Sequence, residues 1–168
     1  TLFSAELFDC SYERALQAAM AVEIFHNFSL VHDDIMDQAP LRRGQATVHT
    51  KWNTNTGILS GDAMLILTYQ YFDIYEPKVY KKLSKLMTRT ALEVCEGQQL
   101  DVDFETRDNV TVEEYIKMIT YKTAVLIGAA RRMGAIVAKA DKEDGLLLYQ
   151  FGLNLGIAFQ LQDDYLDT

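Results

Sequence analysis

From Tyr12 to Met36 the chain runs without a proline or a glycine, and apolar residues are dense throughout. Such a run reads as one long, largely buried helix, ended by Pro40. Residues 38–60 are polar, contain Arg42, Arg43, Gly44, Asn53, Asn55 and Gly57, and read as a loop with at most a short helix. Asp62 to Tyr75 reads as a second apolar helix, closed by Pro77. A third spans Val79 to about Phe104, where Val79, Leu83, Leu86, Met87, Thr90 and Val94 recur at three and four residues. The fourth opens with a capping box, Thr111 with Glu114, and carries Tyr115, Ile116, Ile119, Thr123 and Ile127 on one face. A fifth, from about Asp141, is apolar nearly all round and reads as central to a bundle; its Gly152 and Gly156 allow a neighbouring backbone to approach closely. Strand alternation with hairpin turns is not seen. The expected fold class is all-α, a bundle of long, mostly antiparallel helices around a central cavity.

The 168 residues fit a single domain. Thr1 stands first, and helical pattern continues to the last residue without a stop signal, so the chain reads as one domain lacking N-terminal and C-terminal parts. A net charge of −8 disfavours general binding to nucleic acid or anionic membranes. No apolar run reaches membrane-spanning length. Cys10 and Cys95 lie far apart in no metal-like spacing, and the expected location is a reducing cytoplasm.

Two acidic motifs carry the chemistry. In His32-Asp33-Asp34-Ile35-Met36-Asp37, Asp33 and Asp37 lie one helical turn apart on one face at the end of an apolar helix. A helix C-terminus disfavours acid, so a bound cation would relieve both repulsion and desolvation. Oxygen-only donors that leave room for water and phosphate suit Mg²⁺. Gln162-Asp163-Asp164-Tyr165-Leu166-Asp167 repeats the pattern on another helix. Facing one another, the two motifs would hold several Mg²⁺ ions and through them a diphosphate. Arg42-Arg43-Gly44 follows the first motif at once, with guanidinium forks suited to phosphate oxygens on a tight turn. Lys122-Thr123 sits mid-helix among apolar neighbours, and Gln98 with Asp101 makes a further polar patch.

The runs HNFSLVHDDIMDQAPLRRG (His26 to Gly44) and GIAFQLQDDYLD (Gly156 to Asp167) resemble the first and second aspartate-rich motifs of trans-isoprenyl diphosphate synthases, the polyprenyl synthetase family. GDAML at Gly61 to Leu65, GQQLD at Gly97 to Asp101 and Lys122-Thr123 follow in the same order. The resemblance implies an all-helical, homodimeric, Mg²⁺-dependent enzyme. Such an enzyme condenses isopentenyl diphosphate head to tail with an allylic diphosphate (dimethylallyl, geranyl or farnesyl). It further implies that Asp33, Asp34 and Asp37 ligate Mg²⁺ from one side, and Asp163, Asp164 and Asp167 from the other. Asp101 joins the acidic set, with Gln98 as its supporting partner. Arg42 would contact the allylic diphosphate, and Arg43 and His26 the isopentenyl diphosphate. Lys122, Thr123 and Gln160 would line the allylic site. The family's N-terminal Gly-Lys-x-x-Arg-Pro segment is absent from this sequence.

Product length is expected to depend on Phe28, since a bulky aromatic at that position goes with short products in the family. The first motif carries no inserted residues, which leans toward C20 over C15. A class I terpene cyclase would pair the first motif with an Asn/Ser/Glu-type triad, where this chain has a second Asp-Asp-x-x-Asp. A di-iron bundle needs two Glu-x-x-His motifs, and Glu23…His26 is the single match. A silent regulatory subunit would usually have lost one acidic motif.

Overall fold

The computed structural model describes residues 1–166; Asp167 of the second motif lies outside the described residues. Its helices are α1 (Leu2–Glu6), α2 (Tyr12–Met36), α3 (Val48–Lys51), α4 (Thr54–Gln70), α5 (Pro77–Phe104), α6 (Val112–Ile119), α7 (Val125–Val137) and α8 (Lys142–Leu166). A π-helical turn, Thr120–Ala124, joins α6 to α7 without a break. Two strands of two residues each, β1 (Leu41–Arg42) and β2 (Gln45–Ala46), form an antiparallel hairpin. The all-α expectation holds.

Fully buried Phe25, Leu83, Met87, Val125, Met133 and Val137 gather the core where α2, α5 and α7 meet. In the first half of α2 the buried residues are the small Ala15, Ala18 and Ala21, which lets neighbours approach its backbone. Tyr75 reaches into that helix: its hydroxyl donates to the Arg14 carbonyl at 2.7 Å and accepts from the Ala18 amide at 3.1 Å. The capping box at Thr111–Glu114 forms as expected. Gly152 and Gly156 fulfil their expected role: a Cβ on either would stand within 3 Å of the α7 or π-turn backbone, at Gly128 and Ala124.

Two expectations are corrected. The second helix begins at Thr54, eight residues before Asp62, capped by Asn53, whose side chain accepts from the Thr56 amide at 2.9 Å. Gly57 and Gly61 look like loop signals, but they seat α4 against Ile35 and His32 of α2. The hairpin was missed because two-residue strands show no alternation. It turns on Arg43 and Gly44, both at positive φ (52° and 75°), as a two-residue hairpin loop requires. On α8 the glycines are buried against α7, while Leu147, Phe151, Leu155 and Phe159 are exposed; among the described residues the helix packs on α6, α7 and the π-turn.

Candidate active site

A cavity of about 690 Å³ opens between α2, α5, the π-turn, α7 and α8. One face of α2 builds its first wall: Val22, His26, Ser29, Leu30 and Asp33 recur at three and four residues, so an apolar stripe ends on a carboxylate. Phe159, Gln160 and Asp163 come from α8, and Val94 and Gln98 from α5. Arg42 and Arg43 enter from the hairpin. The π-turn supplies Lys122 and Thr123, both of which line the cavity. Gly97 makes this possible on the α5 side, since a Cβ there would lie 2.7 Å from Lys122 Cα.

The charges are interlocked. Asp33 accepts from Arg42 Nη2 at 3.2 Å, and Lys122 Nζ stands 3.3 Å from its other oxygen, Oδ1, which accepts no aligned hydrogen bond. Lys122 also donates to Asp101. Burial alone would lower the Lys122 pKa, but Asp101 and Asp33 outweigh it and hold the ammonium charged. Burial, and then the like charge of Asp33, push the Asp37 carboxyl above its ordinary value. His26 is pushed the other way: burial lowers it, Arg43 and Arg42 add to the effect, and Glu23 opposes them.

The second aspartate of each motif turns elsewhere. Asp34 is 5% exposed and accepts from Arg42 Nε at 2.7 Å, outside the cavity lining. Asp164 spends one oxygen on the Tyr115 hydroxyl and the other on Gln160 Nε2 at 2.7 Å. Phe28 is also not in the lining; it packs on Phe25 and on the edge of His32, with ring centroids 5.4 and 4.9 Å apart. Arg42 is thus paired to the acidic motif, whereas Arg43 has no ion pair among the described residues.

Among the described residues no three His, Cys, Asp or Glu side chains converge to enclose an ion. Asp33 and Asp163 instead line a shared cavity. Asp33 has an oxygen short of a hydrogen bond, and Asp37 resists ionisation beside it. That donor set fits a hard divalent cation whose remaining ligands are water and phosphate oxygens. Gln98 Nε2, buried and without a hydrogen-bond partner among the described residues, adds a donor on the cavity wall.

Sequence reasoning missed two residues. Tyr115 was assigned to an apolar face, although a half-buried tyrosine needs a partner for its hydroxyl. His32 was read only as part of the acidic motif. Its Nε2 bonds the Ile58 carbonyl at 3.1 Å and lies where a side chain on Gly61 would stand.

The polyprenyl synthetase family model matches residues 1–168. The geranylgeranyl diphosphate synthase of Methanosarcina mazei is 42% identical over 168 residues, which is 99% of this chain and 52% of that protein. The geranylfarnesyl diphosphate synthase of Natronomonas pharaonis is 46% identical over 155 residues, 90% of this chain and 45% of that protein. A crystal structure of a geranylgeranyl pyrophosphate synthase superposes with a TM-score of 0.97 at 60% identity, covering 99% of this chain and 51% of that one. The synthetase structure from Pyrococcus horikoshii gives 0.95 at 40% identity, with coverage of 99% and 51%. The chain spans about half the length of the relatives it matches.

Proposed function

Because the chain belongs to the polyprenyl synthetase family, we propose that its protein is a prenyltransferase. It would condense isopentenyl diphosphate head to tail with an allylic diphosphate by Mg²⁺-assisted ionisation and release a C15–C20 prenyl diphosphate. One observation carries this reading. Asp33 and Asp163, from motifs far apart in sequence, line one cavity with Lys122, Arg42 and Arg43.

Asp33, Asp37 and Asp163 are the carboxylates suited to hold Mg²⁺. When bound, Mg²⁺ supplies the positive charge that stabilises the departing diphosphate. Lys122 and Arg42 exchange their carboxylate partners for the allylic diphosphate as it binds, and so present preorganised positive charge to the leaving group. Arg43 and His26 serve the isopentenyl diphosphate. The walls formed by Val94, Leu126, Ile127 and Phe159 exclude water from the allylic cation. The proton released after carbon–carbon bond formation goes to the diphosphate, since no side chain in the cavity is a better base.

Two further features belong to this proposal. Exposed Leu59 and Ile66 on α4 and Leu92 on α5 support a homodimer. No helix among the described residues is long and apolar enough to cross a membrane, and the enzyme is assigned to the cytoplasm.

Asp33→Ala and Asp163→Ala test the reading in the complete protein. Each should lower turnover by orders of magnitude while the helical circular-dichroism spectrum survives. Near-normal turnover in both variants would refute it.

A further inference from the structure

Tyr115 lies outside the cavity, yet it is bonded to the motif that lines it. Its hydroxyl donates to Asp164 Oδ2 at 2.5 Å. Asp164 Oδ1 accepts from Gln160 Nε2 at 2.7 Å, and Gln160 Oε1 accepts from Thr123 Oγ1 at 2.9 Å. Three hydrogen bonds therefore run from α6 through α8 to the π-turn. They end on Gln160 and Thr123, both in the cavity lining. The direction of each bond follows from the carboxylate, which can only accept. Gln160 must turn its NH₂ group to Asp164 and its carbonyl to Thr123, and neither end can flip without breaking a bond.

We propose that Tyr115 is a positioning residue for prenyl transfer: through Asp164 it fixes the side-chain amide of Gln160 and keeps Asp164 turned out of the cavity while Asp163 faces in. The assignment rests on reading the cavity as a magnesium–diphosphate site. Without that hydroxyl, the Gln160 amide is the one side-chain donor left to Asp164 among the described residues. Its carboxylate can then swing toward the cavity, adding a like charge beside Asp163 and freeing Gln160 to rotate.

The test uses the complete protein and four forms: wild type, Tyr115→Phe, Asp164→Ala and the double variant. Calorimetry measures binding of magnesium with inorganic diphosphate; melting temperature and the KM for each substrate are measured alongside. Tyr115→Phe should weaken binding about ten- to a hundredfold, the size of one hydrogen bond to a charged group. The allylic KM should rise in step, with the KM for isopentenyl diphosphate unchanged. In the Asp164→Ala background the same substitution should add less than about twofold, because Tyr115 acts through Asp164. Unchanged binding with only a lower melting temperature would make Tyr115 a clasp between α6 and α8 and overturn the proposal. An equal loss in both backgrounds would also overturn it. Failure of the wild type to bind magnesium with diphosphate would overturn the prenyl-transfer reading itself, and this assignment with it.

Discussion

Lys122 Nζ stands 3.3 Å from Asp33 Oδ1, joining the π-turn to the end of α2 in the lining of the cavity. A cation suited to phosphate and a carboxylate suited to metal thus neutralise one another. On the proposed reading, each exchanges the other for its own ligand.

Replacing Lys122 with methionine separates the two roles. The ammonium is partly solvated, so the fold should lose no more than about 1 kcal/mol. Turnover should fall about 10²-fold, as expected when a preorganised charge is removed from a leaving group. Urea denaturation and steady-state kinetics check both numbers.

Arg42 and Arg43 should respond differently, since Arg42 is paired to Asp33 and Asp34 while Arg43 has no ion pair among the described residues. Arg43→Ala should raise KM mainly for isopentenyl diphosphate, with stability unchanged. Arg42→Ala should weaken the allylic primer more, and should also cost about 1–3 kcal/mol because it strips buried Asp34 of its donor. Equal shifts for both substrates in both variants would remove the distinction.

The His26 ring has a pKa below the ordinary 6.5, chiefly through burial and then through Arg43 and Arg42, against the opposing pull of Glu23. Its contribution to stability is complete above that ordinary value. It is lost as pH falls toward the folded pKa, because the unfolded chain takes up the proton first. An NMR titration of the ring should give a midpoint below 6.5, moving upward when inorganic diphosphate binds beside Arg43. A midpoint at or above that value in the ligand-free protein would contradict the environment described for His26.

Phe28 sits behind the α2 wall in a ring stack with Phe25 and His32. Phe28→Ala should empty space beside Ser29 about one helical turn deep, roughly 5.4 Å, enough for about one further isoprene unit. Chromatography of dephosphorylated products should show modest lengthening. An unchanged distribution would remove Phe28 from control of chain length.

The sequence made α2, α5 and α8 legible because their apolar periodicity is long and uninterrupted. It concealed the start of α4, since Gly57 and Gly61 serve interhelical packing there and resemble a loop only when read alone. It concealed the π-turn as well, because a shift in backbone hydrogen bonding leaves the apolar pattern intact. Within the site, Asp33 and Asp163 were legible from motif spacing, and Lys122, Thr123 and Gln160 only through the resemblance to the family. Asp33 and Asp34 point about 100° apart on α2, and of the two Asp33 faces the cavity while Asp34 turns to Arg42. Which protein donor receives the second aspartate of each motif depends on tertiary contacts with Arg42 and Tyr115 that no local pattern carries.

The central claim is Mg²⁺-dependent chain elongation, and it is tested most directly by incubating the complete protein with labelled isopentenyl diphosphate and each allylic primer, with and without Mg²⁺. Label is expected in C15–C20 prenyl diphosphates only when the metal is present, and none after chelation. Absence of elongated product from every primer with Mg²⁺ present, or equal product after chelation, would contradict it.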